Sequence, residues 1–215
     1  MLHGIDVSAR EETDEWAVRR AGERVDFVFV KATEGAKRTD PRFVRHWRLA
    51  AERGLVRGAY HVARPGGDAD GDVANFLRTV RPERGDLLAL DLTVLDGRPP
   101  HEVAEFARRW CARIRTELRV PPFVYTHSWL AHGGNCAGLE GYPLWIAAHL
   151  GPPGRPEVPA PWREWAVHQY TSVPVNRNVY AGTRRALAEF GYQGGDCEAD
   201  LRTRDVAGGD PGRRG

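Results

Sequence analysis

Asp26-Phe-Val-Phe-Val-Lys-Ala-Thr33 is the stretch on which the fold turns. Its β-branched and aromatic residues follow one another almost without a polar break, the pattern of a strand covered on both faces. Three more runs share it: His3–Ser8, Val56–Val62 (VRGAYHV) and Asp86–Thr93 (DLLALDLT). Between and after them, amphipathic stretches predict helices over Asp14–Glu23, Pro41–Arg53, Ala69–Val80 and His101–Leu118. The second of these has proline in its first turn, where a missing N–H costs least, and Gly54 just past its end. Strand and helix alternating four times imply a parallel sheet layered with helices.

The second half reads differently. Pro122–His127, Pro143–Leu150 and Trp165–Thr171 are expected strands with little helix between them. Arg177–Ala181 is an eighth short strand, followed by a last helix over Thr183–Phe190. About eight strands fit an α/β fold, an irregular TIM-barrel-like (β/α) barrel. Its strands are mostly parallel, and its later helices are reduced to loops. A doubly wound open sheet is the competing architecture. Residues 1–192 form the expected barrel domain. Residues 193–215 are poor in apolar side chains and rich in glycine, and are expected to be a flexible tail.

Composition narrows the function. The 215 residues suit one domain, with 41% hydrophobic and 28% charged residues. Thirty-one basic against 29 acidic residues leave a net charge of +2, without the footprint of a nucleic-acid binder. No apolar run reaches the roughly 18 residues of a membrane span. Met1-Leu-His-Gly-Ile-Asp6 lacks a basic leader with an apolar core, so no secretory signal is expected in this chain. Cys111, Cys136 and Cys197 are widely spaced and suggest neither a disulfide framework nor a zinc site. His127, His132 and His149 likewise lack a ligand spacing. Neither metal nor cofactor is expected, and the chain reads as a monomer.

In a parallel barrel the reactive groups gather at the C-terminal ends of the strands. Those ends carry Asp6, Glu34, His61, Arg64, Asp91, Thr93, Tyr125, His127, His149, Gln169 and Thr171. Asp6 and Asp91 sit inside apolar runs, where a carboxylate is costly unless paired or functional. A buried hydrogen-bond network is the structural alternative. Aromatic residues near strand ends, Tyr60, Tyr125, Trp145 and Tyr170, suit the apolar C–H faces of sugar rings or simple core packing.

Six segments in one order carry a resemblance. They are Gly4-Ile-Asp-Val-Ser8, Phe27-Val-Phe-Val-Lys-Ala-Thr-Glu-Gly35, Asp40-Pro-Arg-Phe43, Gly58-Ala-Tyr-His61, Leu144-Trp-Ile-Ala147 and Gln169-Tyr-Thr-Ser172. Together they resemble glycoside hydrolase family 25, the muramidases that cleave between N-acetylmuramic acid and N-acetylglucosamine in bacterial peptidoglycan. The resemblance runs from about residue 2 to residue 190. It implies an irregular eight-stranded barrel with an acidic groove and a cell-wall glycan as partner. It also implies an enzyme that acts outside the cell or upon lysis.

Carried over by position, the family's first-strand Asp is Asp6 and the Asp of its Asp-x-Glu is Asp91. The Glu of that motif is replaced by Thr93, and the Asp of its last strand by Asn176. Glu34, Tyr60, Tyr125, Trp145, His149 and Gln169 are the implied substrate-binding set. Arg10-Glu11-Glu12, His149 and His168 are smaller departures. Residues two apart on a strand share a face, so position 93 points into the same cleft as Asp91. A threonine hydroxyl is no general acid near neutral pH. Losing a positioned acid costs roughly 10²–10⁴ in rate. The expectation is therefore a family 25 lysozyme-like protein with impaired hydrolysis. The alternatives are a glycan-binding pseudoenzyme or a glycosidase whose acid has moved to Glu11, Glu34 or Asp96.

Overall fold

Alternation along each strand decides which side chains fill the barrel and which meet the helices. A computed structural model describes residues 1–10 and 24–194. The expected helix over 14–23, Glu11 and nearly all of the expected tail lie outside those residues. The strands are β1 Leu2–Val7, β2 Phe27–Glu34, β3 Arg38–Thr39, β4 Val56–Val62, β5 Leu87–Asp91, β6 Phe123–His127, β7 Leu144–Ala147, β8 Val167–Thr171 and β9 Asn176–Tyr180. Helices α1 Phe43–Glu52, α2 Ala69–Thr79 and α3 Pro100–Leu118 follow β3, β4 and β5. A single turn, α4 Ser128–Leu130, runs into a π-helical turn at Ala131–Asn135, and α5 Arg184–Glu189 comes last.

The sheet order β1-β9-β8-β7-β6-β5-β4-β2, with β1 pairing β2, closes a mixed barrel. Around the barrel the pairings among β1, β2 and β4 to β8 are parallel, whereas β9 is antiparallel to both β8 and β1. The chain between Thr171 and Asn176 is far too short for a crossover, so β8 and β9 must form a hairpin. The open doubly wound alternative is excluded by this closure. The two-residue β3, antiparallel to the end of β2, carries no periodicity that a sequence reading can detect.

Phe27, Phe29, Tyr60, Leu87, Ala89, Phe123, Trp145, Val167 and Tyr180 fill the barrel. Their strand neighbours Val28, Val30, Leu88, Leu90 and Val124 pack outward against the helices. Gly4 is required by this filling, because a Cβ there would stand 2.3 Å from the Phe27 ring. Phe190, just past α5, meets the rings of Phe123 and Tyr180 at 5.4 and 6.3 Å between centroids, and Leu187 joins the same interior cluster. This closes the N-terminal end of the barrel. Beyond α5, the Tyr192 amide donates to Asp86 O at 2.8 Å, and the Gly85 amide donates to Tyr192 O at 2.7 Å. No described helix is long and apolar enough to cross a membrane.

Candidate active site

The inner face at the C-terminal end of the strands is polar. Asp6 follows Gly4 on the inner side of β1, and the antiparallel register sets Asn176 directly across from it. Asn176 Nδ2 donates to Asp6 Oδ1 at 2.7 Å. Asn178, two residues along on the same face of β9, donates to Asp6 Oδ2 at 2.8 Å, as does Gln169 Nε2 from β8. Asp6 is buried, and at least three amide donors converge on it. That is the surrounding an ionised carboxylate requires in place of water. The strand expected over Arg177–Ala181 is β9, which begins one residue earlier, at Asn176, in register with Asp6.

Gln169 extends the network. Its Oε1 accepts from the Tyr125 hydroxyl at 3.0 Å and lies 3.0 Å from His149 Nε2. Because the Gln169 amide nitrogen faces Asp6, its oxygen needs donors, which assigns the proton to His149 Nε2. Burial, followed by the charges of Asp6 and Asp91, raises the Tyr125 phenol well above its ordinary pKa and keeps it a donor.

Asp91 ends β5, and the intervening Leu92 is buried in the outer core, so Asp91 and Thr93 share the inner side. The Thr93 hydroxyl donates to Asp91 Oδ1 at 2.6 Å. Burial is the largest influence on Asp91, and Asp6 adds a like charge. Together they outweigh the Thr93 hydrogen bonds and the Lys31 charge, and push the carboxyl up to about 6.

Glu34 is held differently. Between β2 and β4 the pairing steps from Lys31↔Tyr60 to Thr33↔His61, so Ala32 is a bulge. Beyond it, Glu34 accepts from Lys31 at 2.8 Å, Arg38 at 2.9 Å and Arg64 at 3.0 Å. Burial by itself raises this carboxyl, but the three cations prevail and hold it below the usual range. Asp96, hydrogen-bonded by Arg64, is also lowered despite partial burial. A proton donor needs the opposite shift.

The aromatic residues divide by depth. Trp145 is 1% exposed, stacks on Phe29 at 4.2 Å and donates Nε1 to Asn178 Oδ1 at 2.7 Å. It supports the site from beneath, with Tyr60 edge-on at 6.2 Å. Tyr125 lies above, 4.6 Å from Trp145.

His61, expected at a strand end by the cleft, and His168, a departure from the family pattern, both face the other way. His61 lies on the outer side of β4, stacked on Trp110 at 5.4 Å, between Thr33 Oγ1 at 2.7 Å and Asp72 Oδ2 at 2.9 Å. His168 donates Nε2 to Ala148 O at 2.7 Å and accepts the Gly154 amide on Nδ1, holding the 148–154 loop. Both fall on the opposite parity from Tyr60 and Gln169, a signal a list of strand ends ignores. Asn178 and Lys31 belong to the inner side, and their i+2 relation to Asn176 and Phe29 is the sequence signal for them. Among the described residues no group of His, Cys, Asp and Glu is arranged to hold a metal ion. Cys111 and Cys136 are buried free thiols.

Known proteins share this arrangement of strands. The chain is 34% identical to the Escherichia coli (strain K12) protein YegX over 200 residues, covering 88% of this chain and 73% of that protein. It is 27% identical to lysozyme M1 of Streptomyces globisporus over 209 residues, 86% of this chain and 70% of the relative. The crystal structure of a bacterial lysozyme from Streptomyces coelicolor superimposes with a TM-score of 0.78 at 25% identity, covering 89% of this chain and 97% of the other. The profile of glycosyl hydrolases family 25 matches residues 5–179, from the strand that bears Asp6 to the strand that bears Asn176 and Asn178. With a match that spans the whole barrel wall, the chain belongs to glycosyl hydrolases family 25, the family of lysozymes and muramidases.

Proposed function

We propose that this chain binds bacterial peptidoglycan in the groove at the C-terminal end of its barrel and hydrolyses it far more slowly than a groove with a full acid set. One observation carries the reading. Where the family motif has a glutamic acid, the side chain is Thr93, and its hydroxyl is already donated to Asp91 at 2.6 Å. The second departure supports it: Asn176 contributes an amide donor to Asp6 and no acid. Glu34 and Asp96, candidates for a relocated acid, are held ionised by neighbouring cations. The polar inner face, with Tyr125 and His149 at its edge, is suited to an uncharged, hydroxyl-rich ligand. The purified protein is expected to sediment with insoluble peptidoglycan while leaving a turbid cell-wall suspension uncleared over hours. Protein that stays in the supernatant contradicts the binding claim, and rapid clearing contradicts the impairment.

A second reading is favoured for the slow turnover that remains. Burial and the Asp6 charge raise the Asp91 carboxyl to about 6, so its protonated form is populated below that pH and lost as pH rises through it. Residual reducing-end release should therefore be greatest on the acid side and fall above about pH 6. Asp91→Asn should abolish it while leaving co-sedimentation intact. A flat profile between pH 4 and 8, or an active Asp91→Asn protein, assigns the residual chemistry elsewhere.

A further inference from the structure

The inner face of β6 does not stop at Tyr125. Every second residue along it is a flat ring: Tyr125, His127, and then Trp129 in the turn beyond. Ring centroids are 4.6 Å apart from Trp145 to Tyr125, 5.9 Å from Tyr125 to His127 and 6.4 Å from His127 to Trp129. The last pair is nearly parallel, at 17°. Along this series the rings pass from the barrel interior to water: Trp145 is 1% exposed and Trp129 is 66% exposed.

The indole is open, yet its backbone is anchored. Leu130 is fully buried beside it, Ala131 is buried, and Asn135 Nδ2 donates to Leu130 O at 2.9 Å. His127 is half-buried, and burial together with His149 lowers its pKa, so the ring under Trp129 is neutral at neutral pH. An anchored aromatic surface beside the polar end of the barrel is what the apolar C–H face of a pyranose needs. Little rotamer freedom is lost when a sugar settles on it.

We infer that Trp129, backed by His127, is an outer sugar-binding subsite that holds a hexosamine ring of the same glycan strand, two ring steps along this series from Tyr125 at the Asp6–Asp91 centre. The inference rests on the peptidoglycan reading above and extends it from a site to a strand-length groove. The occupant is a sugar ring because the ring series runs out from the polar end of the barrel that holds Asp6, Asp91 and Gln169 and ends in an exposed indole.

The test is calorimetric titration with the N-acetylglucosaminyl-N-acetylmuramic acid disaccharide and with a hexasaccharide of the same repeat. Trp129→Ala should weaken the hexasaccharide by roughly three- to tenfold and leave the disaccharide unchanged, with Trp129→Phe recovering most of the loss. At 66% exposure the substitution should leave the circular dichroism and melting of the protein unaltered. Equal hexasaccharide affinity in Trp129→Ala, or equal weakening of both sugars, overturns the subsite while leaving the binding function standing. Wild-type protein that binds neither sugar nor cell wall overturns the functional reading, and the subsite falls with it. Concentration-dependent self-association that Trp129→Ala abolishes would show this ring covered by a second copy instead, and overturns the subsite too.

Discussion

Thr93→Glu is expected to raise reducing-end release from purified peptidoglycan by roughly 10²–10⁴-fold, the worth of one positioned general acid. The side chain at 93 shares the inner side with Asp91, and Thr93 Oγ1 is already within 2.6 Å of Asp91 Oδ1, so a carboxyl there arrives beside another. Like charges at that range force one proton to stay bound, which raises the pKa of the pair and makes an acid available near neutrality. Adding Asn176→Asp has a different effect. The amide that donates to Asp6 at 2.7 Å becomes a second carboxyl, and this pair too must hold a proton between its members. The double variant should match or exceed Thr93→Glu and show an additional limb in its pH profile. No gain from either protein means that substrate contacts have been lost as well. His149, at the edge of the groove, is then the first suspect, whereas His168 faces away from it.

Asp6→Asn should be the most damaging single change to folding. The carboxylate accepts from Asn176, Asn178 and Gln169, and an amide in its place confronts three donors with one acceptor. Leaving buried partners unsatisfied costs about 3–5 kcal/mol. For a chain of this size that lowers the melting temperature by on the order of 10 °C. Asp91→Asn should act in the opposite sense at pH 7. The Asp91 carboxyl is raised to about 6 in the fold, so its ionised form is penalised there and favours unfolding as pH rises through that value. Removing the charge relieves the penalty, and the variant should melt higher than the parent at pH 7 and little differently at pH 4. Thermal denaturation of both variants at the two pH values checks the pair of predictions. An Asp6→Asn protein as stable as the parent would show that the amides are not tied to that carboxylate.

Much of the barrel was legible because its strands are covered on both sides. Phe27–Val30 alternates between the interior rings and the helix layer, and both environments select the same apolar residue types. The orientation of β9 follows from loop length rather than from composition, since four residues cannot carry a crossover. Within the site, the relation of Asp91 to Thr93 was readable from strand periodicity, and the hydrogen bond between them is that periodicity made concrete. The role of Asn178 was not. A residue that takes the Trp145 indole N–H and returns an amide to Asp6 looks, in the sequence, like any polar strand position. The bulge at Ala32 was also hidden, and it is what places Glu34 among Lys31, Arg38 and Arg64. Three cations hold this acid below the usual carboxylate range, a change of chemistry that the residue name alone does not disclose.

The most direct measurement is the initial rate of reducing-end release from purified peptidoglycan by the unmodified protein, beside lysozyme M1 at equal concentration from pH 4 to 8. The account predicts a rate at least roughly a hundredfold lower across the range, with what remains confined to the acid side. A rate comparable with that of the lysozyme at neutral pH would contradict it.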